Sequence, residues 1–381
     1  MHELHQDVDA NRRVSDRALE GDQIERGAPA RSAANTEIVA PDDGEGAPQP
    51  LGRRFLRPET LVSFAIAGAI LFFVVRGLRI DPAAVWDNVR RADPWFLLAA
   101  LAVWYGIFVV RALRWRGMLS RVGVDAAYGY AMPTLGGIYE ILVLSWFANC
   151  VVPAKLGDAY RCYLLKRESR VPFSTGLGTV VAERLTDLLV LCVAMAAAGA
   201  LVFGRRLPDE ATRAFELGVV LVLVAAVGLA VMWLSRHALQ RRLPRRVQEQ
   251  YGRLHGAIFG SLRRPAPVLA VGAVIWLGEG LRFWLVSRSL GDTLPFSVAL
   301  FIALMGALLT TIPVTPAGLG VVEAGTGAVM VGVLGLDPDL SFAIIFLDRV
   351  VSYWSLIAIG LVVYLRRFGR EARLGTARAA A

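Results

Sequence analysis

Apolar positions in this chain fall in long runs separated by short basic or Pro/Gly-rich stretches. Six runs are predicted to form full membrane-spanning helices: 61–75 (extendable to Ile80 if Arg76 and Arg79 snorkel), 94–110, 176–203, 215–234, 267–286 and 340–365. Each approaches the roughly 20 apolar residues that carry a helix through about 30 Å of hydrocarbon. The stretch 81–93 is amphipathic, with Val85, Trp86 and Val89 on one side, and is expected to lie at the interface. Two further apolar stretches are interrupted. The first, 131–152, holds Pro133, Gly136, Gly137 and Glu140 and ends at Pro153. The second, 296–336, breaks at Ile312-Pro313-Val314-Thr315-Pro316-Ala317-Gly318-Leu319-Gly320.

Charge decides how these segments cross. Loops that stay in the cytoplasm collect Lys and Arg. The first span is preceded by Arg53, Arg54 and Arg57, and the second ends in Arg111, Arg114, Arg116 and Arg121, which returns the chain to the cytoplasm. If 131–152 crossed, the segment from Lys155 to Arg170 and the basic loop 236–264 would both lie outside. A re-entrant hairpin, entering and leaving on the cytoplasmic side and turning near Pro153 and Gly157, avoids this. The 296–336 stretch then becomes a second re-entrant element entered from outside, although it is long enough for two thin spans. Both termini are cytoplasmic. The expected architecture is an all-α polytopic membrane protein of about six full spans plus two re-entrant broken-helix elements in an inverted repeat.

Composition fits this pattern. The chain is 55% hydrophobic over 381 residues, with a mean hydropathy of +0.51. Its net charge of +9 is not read as a nucleic-acid footprint, because the arginines cluster beside apolar runs. The basic 236–264 stretch reads most simply as an interfacial loop held by anionic lipid. Residues 1–52 mix charge with Ala, Pro and Gly and carry almost no apolar period, which predicts a disordered cytoplasmic tail. The membrane domain is expected over 53–368 and a short cytoplasmic tail over 369–381. Cys150, Cys162 and Cys192 sit in or beside apolar runs and read as buried thiols. His2 and His5 belong to the loose tail, and no spacing suggests a metal site or a bound cofactor.

The two breaks resemble each other. Pro153-Ala154-Lys155-Leu156-Gly157 and Pro316-Ala317-Gly318-Leu319-Gly320 share four of five residues. Arg184 follows Gly157 by 27 positions (184 − 157), and Arg349 follows Gly320 by 29 (349 − 320). Each arginine succeeds an acid, Glu183 or Asp348, inside an apolar run. Charges are costly in hydrocarbon and usually functional there. Arg184 and Arg349 suit bidentate capture of a phosphate, or pairing with their acidic neighbours. Helix ends freed at the breaks would attract ions. Glu279 and Arg282, three apart, are expected to form a local pair, and Glu140 is a candidate proton acceptor. Inverted repeats with broken helices near the midplane are a recurring transporter plan.

The set Asn149, Pro153, Lys155, Gly157, Asp158, Arg161, then Glu183, Arg184 and Asp187, then Pro313, Pro316, Gly318, Gly320 and Glu323, then Arg349, resembles the flippase-like membrane domain of lysylphosphatidylglycerol synthases. That family includes stand-alone inner-membrane proteins and relatives associated with hopanoids and archaeal glycosylation. The likeness spans about residues 55–368. This chain departs in having Lys155 and Asp158 where the family usually shows Arg and Glu, and Ala317-Gly318 where it often shows Gly-Gly. The aminoacyl-transfer domain of the fused synthases is not expected here. The resemblance implies translocation of a lipid or lipid-linked anionic or glycosylated substrate across the inner membrane of a bacterium. All of these residues except Pro313, together with Asp348, would line the substrate path, with no catalytic residue. The alternatives are a membrane-embedded transferase or hydrolase of lipid phosphates, with Asp158, Glu183 and Asp187 as base or metal ligands, or an accessory subunit of a lipid-modifying enzyme. Expected partners are membrane lipids and, in the accessory reading, such a lipid-modifying enzyme.

Overall fold

The computed structural model describes residues 58–78, 80–125, 129–152, 156–204, 209–242, 244–292, 294–311 and 315–379. The predicted N-terminal tail, His2, His5, Pro153, Lys155 and Pro313 lie outside them. Every regular element among the described residues is helical. In order these are α1 (Pro58–Gly77), α2 (Pro82–Arg90), α3 (Pro94–Arg121), α4 (Leu135–Val151), α5 (Gly157–Ser169), α6 (Phe173–Phe203), α7 (Asp209–Arg242), α8 (Arg245–Ser261), α9 (Pro265–Ser289) and α10 (Phe296–Leu309). A 3₁₀ turn (Pro316–Gly318) leads to α11 (Val321–Gly327), which widens into a π segment (Ala328–Val333). Then α12 (Pro338–Arg349) passes through a second π segment (Val350–Trp354) into α13 (Ser355–Ala379).

Among the described residues, six stretches are long and apolar enough to cross a membrane: 94–121, 173–203, 215–236, 265–289, 316–333 and 338–368. Counting α1 with the sharply bent α2 would make seven. The molecule is therefore a multi-pass membrane protein. Its outer surface agrees, since α7 exposes Val220, Leu223, Val224, Val227, Val231 and Leu234. Water would not tolerate such a face, whereas lipid solvates it.

Local signals set the helix ends. Asp81 and Asp93 accept from the backbone N–H groups of Ala83 and Trp95, at 2.9 and 2.8 Å, and each is followed by a proline at the first helical position. Proline there loses no hydrogen bond and the carboxylate satisfies a free donor. The basic stretch expected as a loop is instead the end of α7 followed by α8, whose Ala257 and Ile258 pack inward while Arg245, Arg246 and Arg253 stay exposed. Gly178 of α6 sits so close to α8 that an added Cβ would lie 2.6 Å from the Leu254 carbonyl oxygen.

Two hairpins interrupt the long helices. In the first, α4 and α5 run antiparallel: Ser145 donates to the Gly157 carbonyl at 2.8 Å, and the Gly157 N–H donates to the Asn149 side chain at 2.8 Å. Its open end is tied to α13, where Arg367 pairs with Glu140 and Glu168. In the second, α10 and α11 run antiparallel, with Gly306 against Val322 and Thr326 and with Gly318 against Thr310. At about 1.5 Å per residue, 14-residue α10 rises about 21 Å, short of the hydrocarbon thickness.

Contacts sort the two ends of the molecule. At one end the Asp81 N–H donates to Asp339 at 2.9 Å and the Asp93 N–H to the Ser289 carbonyl at 2.7 Å. The chain between α9 and α10 lies there too, with the Trp284 indole donating to the Leu294 carbonyl at 3.0 Å. At the other end Arg121 donates to the Arg264 carbonyl at 3.3 Å. Between them a core of Trp104, Phe108, Ile138, Leu142, Phe147, Phe283 and Ile344 is closed to solvent. Trp104, Phe108 and Trp146 meet edge to face at centroid distances of 5.3 to 5.9 Å, a favoured aromatic geometry.

Candidate functional site

The tips of the two hairpins meet one cavity of about 480 Å³. Asn149, Cys150, Val152 and Asp158 line it from the first hairpin. Thr310, Thr311, Thr315, Pro316, Ala317, Val322 and Thr326 line it from the second. Arg184 and Asp187 of α6 and Asp348 and Arg349 of α12 complete the predicted members, and Trp104, Arg111, Trp146, Trp276, Glu279 and Arg282 also face in.

Local chemistry shapes both tips. At the first, a Cβ on Gly157 would run into the Ser145 carbonyl oxygen and lie 2.6 Å from Asn149 Oδ1, so only glycine permits the crossing. Asn149 serves as a cap borrowed from the opposite helix of the hairpin, because the residue preceding α5, Leu156, has no side-chain acceptor. At the second, Ala317 and Gly318 both take the left-handed conformation, with φ of 47° and 71°, and Thr315 closes the turn by donating to the Leu319 carbonyl at 2.7 Å. Gly320 has φ 81°, and an added Cβ there would lie 2.9 Å from the Ala67 carbonyl oxygen of α1. Its N–H donates to Glu323 Oε2 at 2.6 Å, which satisfies one free donor of α11.

Ion pairs surround the cavity. Glu183 holds Arg114 at 2.9 Å and Arg161 at 2.5 Å, while Asp187 takes the same Arg114 at 2.5 Å. Arg184 forks onto Asp158, Nε to Oδ2 at 3.0 Å and Nη2 to Oδ1 at 2.6 Å. Glu279 joins Arg111 at 3.0 Å and Arg282 at 3.3 Å, and Arg282 reaches Asp348 as well. Arg349 Nε pairs with Glu323 Oε1 at 2.7 Å. Six arginines (111, 114, 161, 184, 282, 349) face six carboxylates (158, 183, 187, 279, 323, 348), so the formal charge of this set is 6 − 6 = 0. Tryptophans brace several guanidinium groups: Arg161 lies 3.7 Å over Trp115, Arg111 4.8 Å over Trp146 and Arg282 5.2 Å over Trp104.

Several sequence expectations change here. Glu183 does not pair with Arg184, nor Asp348 with Arg349, because consecutive helical residues point about 100° apart. Each arginine instead reaches the acid just beyond a hairpin break, Asp158 or Glu323. Of the predicted site residues, Asn149, Asp158, Arg184, Asp187, Pro316, Asp348 and Arg349 touch the cavity. Gly157, Arg161, Glu183, Gly318, Gly320 and Glu323 support them from behind, and Pro153 and Lys155 lie outside the described residues. Arg111 and Arg114, expected at the cytoplasmic flank, are buried at 2% and 5% exposure, while Arg116 and Arg121 remain exposed. The missed signal was their one-turn spacing, matched by Glu183 and Asp187 one turn apart on α6. Glu279 and Arg282 form the expected local pair but share it with Arg111 and Asp348. Glu140 is held by Arg367. All three cysteines are buried and free, and among the described residues no group of three His, Cys, Asp or Glu is arranged to hold a metal ion.

Known proteins are similar in sequence to this chain over more than half of its length. A UPF0104 membrane protein of Methanocaldococcus jannaschii is 30% identical over 221 residues, covering 57% of this chain and 93% of the relative. A UPF0104 membrane protein of Methanothermobacter thermautotrophicus is 24% identical over 308 residues, 74% of this chain and 89% of the relative. The glycosyltransferase AglD of Haloferax volcanii is 26% identical over 339 residues, covering 78% of this chain but only 53% of AglD. The family model described as lysylphosphatidylglycerol synthase TM region matches residues 60–360, which takes in both hairpins and every ion pair of the cavity. With most of its length matched, the chain belongs to the lysylphosphatidylglycerol synthase TM region family.

Proposed function

We propose that the protein translocates a lipid, or a lipid-linked anionic or glycosylated substrate, across the cytoplasmic membrane. The observation that carries this reading is the single cavity touched by the tips of two hairpins whose open ends face opposite ends of the molecule. In this reading the hairpins are re-entrant and form an inverted pair, each guarding one side, with both termini in the cytoplasm. Arg184 and Arg349 meet the substrate's charged group, and the aromatic wall of Trp104, Trp146 and Trp276 accepts its less polar part. The substrate comes from the surrounding lipid, and an enzyme that makes or consumes it is the natural protein partner.

The test is reconstitution of the full chain into vesicles carrying fluorescent phospholipids of several head groups. Faster loss of inner-leaflet protection from dithionite than in protein-free vesicles is expected for at least one head group. Equal rates for every head group, with folded protein in the bilayer, would sink the reading.

The name of AglD favours a second reading, a membrane-embedded transferase or hydrolase acting on lipid phosphates, with Asp158, Glu183 and Asp187 as the working carboxylates. The arrangement gives it less support, because each of those carboxylates is already held by arginine. Turnover of a lipid phosphate that requires a divalent cation and disappears in Asp158→Asn would favour it over translocation.

A further inference from the structure

Among the described residues the charges around the cavity cancel, so within that set an anion gains nothing from net charge. It gains only by taking an arginine from the carboxylate that holds it. The pairs differ sharply in how open they are to such an exchange. Arg114, Arg161 and Glu183 side chains are at most 3% exposed. Arg184 and Asp158 are 40% and 20% exposed, and both line the cavity. Removing a partner from a fully buried pair is expensive, whereas a half-open pair exchanges at low cost.

The geometry of that open pair matches one ligand chemistry. Arg184 presents Nε and Nη2 as a planar fork to the two oxygens of Asp158, at 3.0 and 2.6 Å. The two non-bridging oxygens of a phosphodiester present the same face and the same single charge. From α12, Arg349 spends Nε on Glu323 of the second hairpin and leaves Nη2 buried with no hydrogen-bond partner among the described residues. Arg349 lines the same cavity and supplies a further donor. A displaced Asp158 is not stranded, because it sits in the first turn of α5, where free backbone N–H groups favour a negative charge.

We propose that Asp158 is a stand-in for substrate: its carboxylate occupies on Arg184 the seat that a singly charged phosphodiester takes when it enters the cavity. The proposal rests on the translocation reading and narrows its substrate class to phosphate esters of one negative charge. It makes Asp158 a competitor of the substrate, and Arg184 the residue for which they compete.

The experiment measures binding of dihexanoyl phosphatidylglycerol to the purified full chain in detergent, with dihexanoylglycerol and inorganic phosphate as parallel probes. Asp158→Asn and Asp158→Ser remove the competing charge, Asp158→Glu keeps it, and Arg184→Gln removes the seat. Melting midpoints are recorded for each. Expected is a tightening of about tenfold for phosphatidylglycerol in the two charge-free variants, none in Asp158→Glu, loss in Arg184→Gln, and no change for dihexanoylglycerol. A purely structural Asp158 would not give a gain in affinity. Equal tightening of inorganic phosphate would keep the exchange and assign the seat to a free anion. The proposal is overturned if a folded charge-free variant binds phosphatidylglycerol more weakly than the wild type or no more tightly, or if the tightening extends to dihexanoylglycerol. Lipid crossing in vesicles separates the two failures. If the wild type accelerates crossing but Asp158 shows no competition, only the exchange falls. If the wild type moves no lipid, the translocation reading falls whatever Asp158 does.

Discussion

Ala317 holds a backbone shape that its side chain resists. With φ 47° and ψ 26° it lies in the left-handed region, where a Cβ crowds the following carbonyl. Glycine would relieve that strain at the cost of a freer unfolded chain, so Ala317→Gly is expected to raise stability by about 0.5–1 kcal/mol. A higher melting midpoint in detergent checks it. Gly157 is the opposite case. Its freedom is one of space, since any Cβ collides with α4, and Gly157→Ala is expected to cost about 2 kcal/mol or more and to loosen the first hairpin. An unchanged melting midpoint would contradict the close crossing. Both positions were legible in the sequence because Pro and Gly mark where backbone geometry is unusual. What each acid touches was not legible. Glu183 and Arg184 are neighbours in the chain, yet the helix turns them toward different partners on α3 and α5.

At the scale of elements, hydrophobic runs and basic flanks located most helices to within a few residues. The predicted 176–203 is α6 from Phe173, and the predicted 267–286 is α9 from Pro265 to Ser289. The breaks were visible as Pro/Gly clusters, but the folding-back of α4 on α5 rests on Ser145 and Asn149 reaching Gly157, which no period encodes. Basic residues misled where they turn inward, as Arg111 and Arg114 do, and where an amphipathic helix, α8, carries them. Single cysteines on a background lacking Cys150, Cys162 and Cys192 test which ends share a side. Lys166→Cys, on the exposed face of α5, reports the first hairpin. Lys166→Cys and Arg245→Cys are expected to react only from the cytoplasm, and Asp337→Cys only from outside. Reaction of Lys166→Cys with an impermeant reagent in intact cells would remove the re-entrant first hairpin.

The charges were laid out in the sequence, but the sum they form belongs to the whole molecule. Acids and arginines from α3, α5, α6, α9, α11 and α12 are scattered over more than two hundred positions, and only the packed bundle shows that they balance. Balance has an energetic consequence. In a low-dielectric interior a charge without its partner costs more than the pair contributes, so removing one member should harm the protein more than removing both. Arg282 and Asp348 give the cleanest case, because Glu279 keeps Arg111 after both are neutralised. Arg282→Gln leaves Asp348 without that arginine and is expected to cost about 3 kcal/mol. The double variant Arg282→Gln/Asp348→Asn is expected to recover about half of that loss, a coupling that a double-mutant cycle on melting in detergent reads directly. If the two losses simply added, the carboxylate and the guanidinium would be acting independently, and the bundle's zero sum would be a count without an energy behind it.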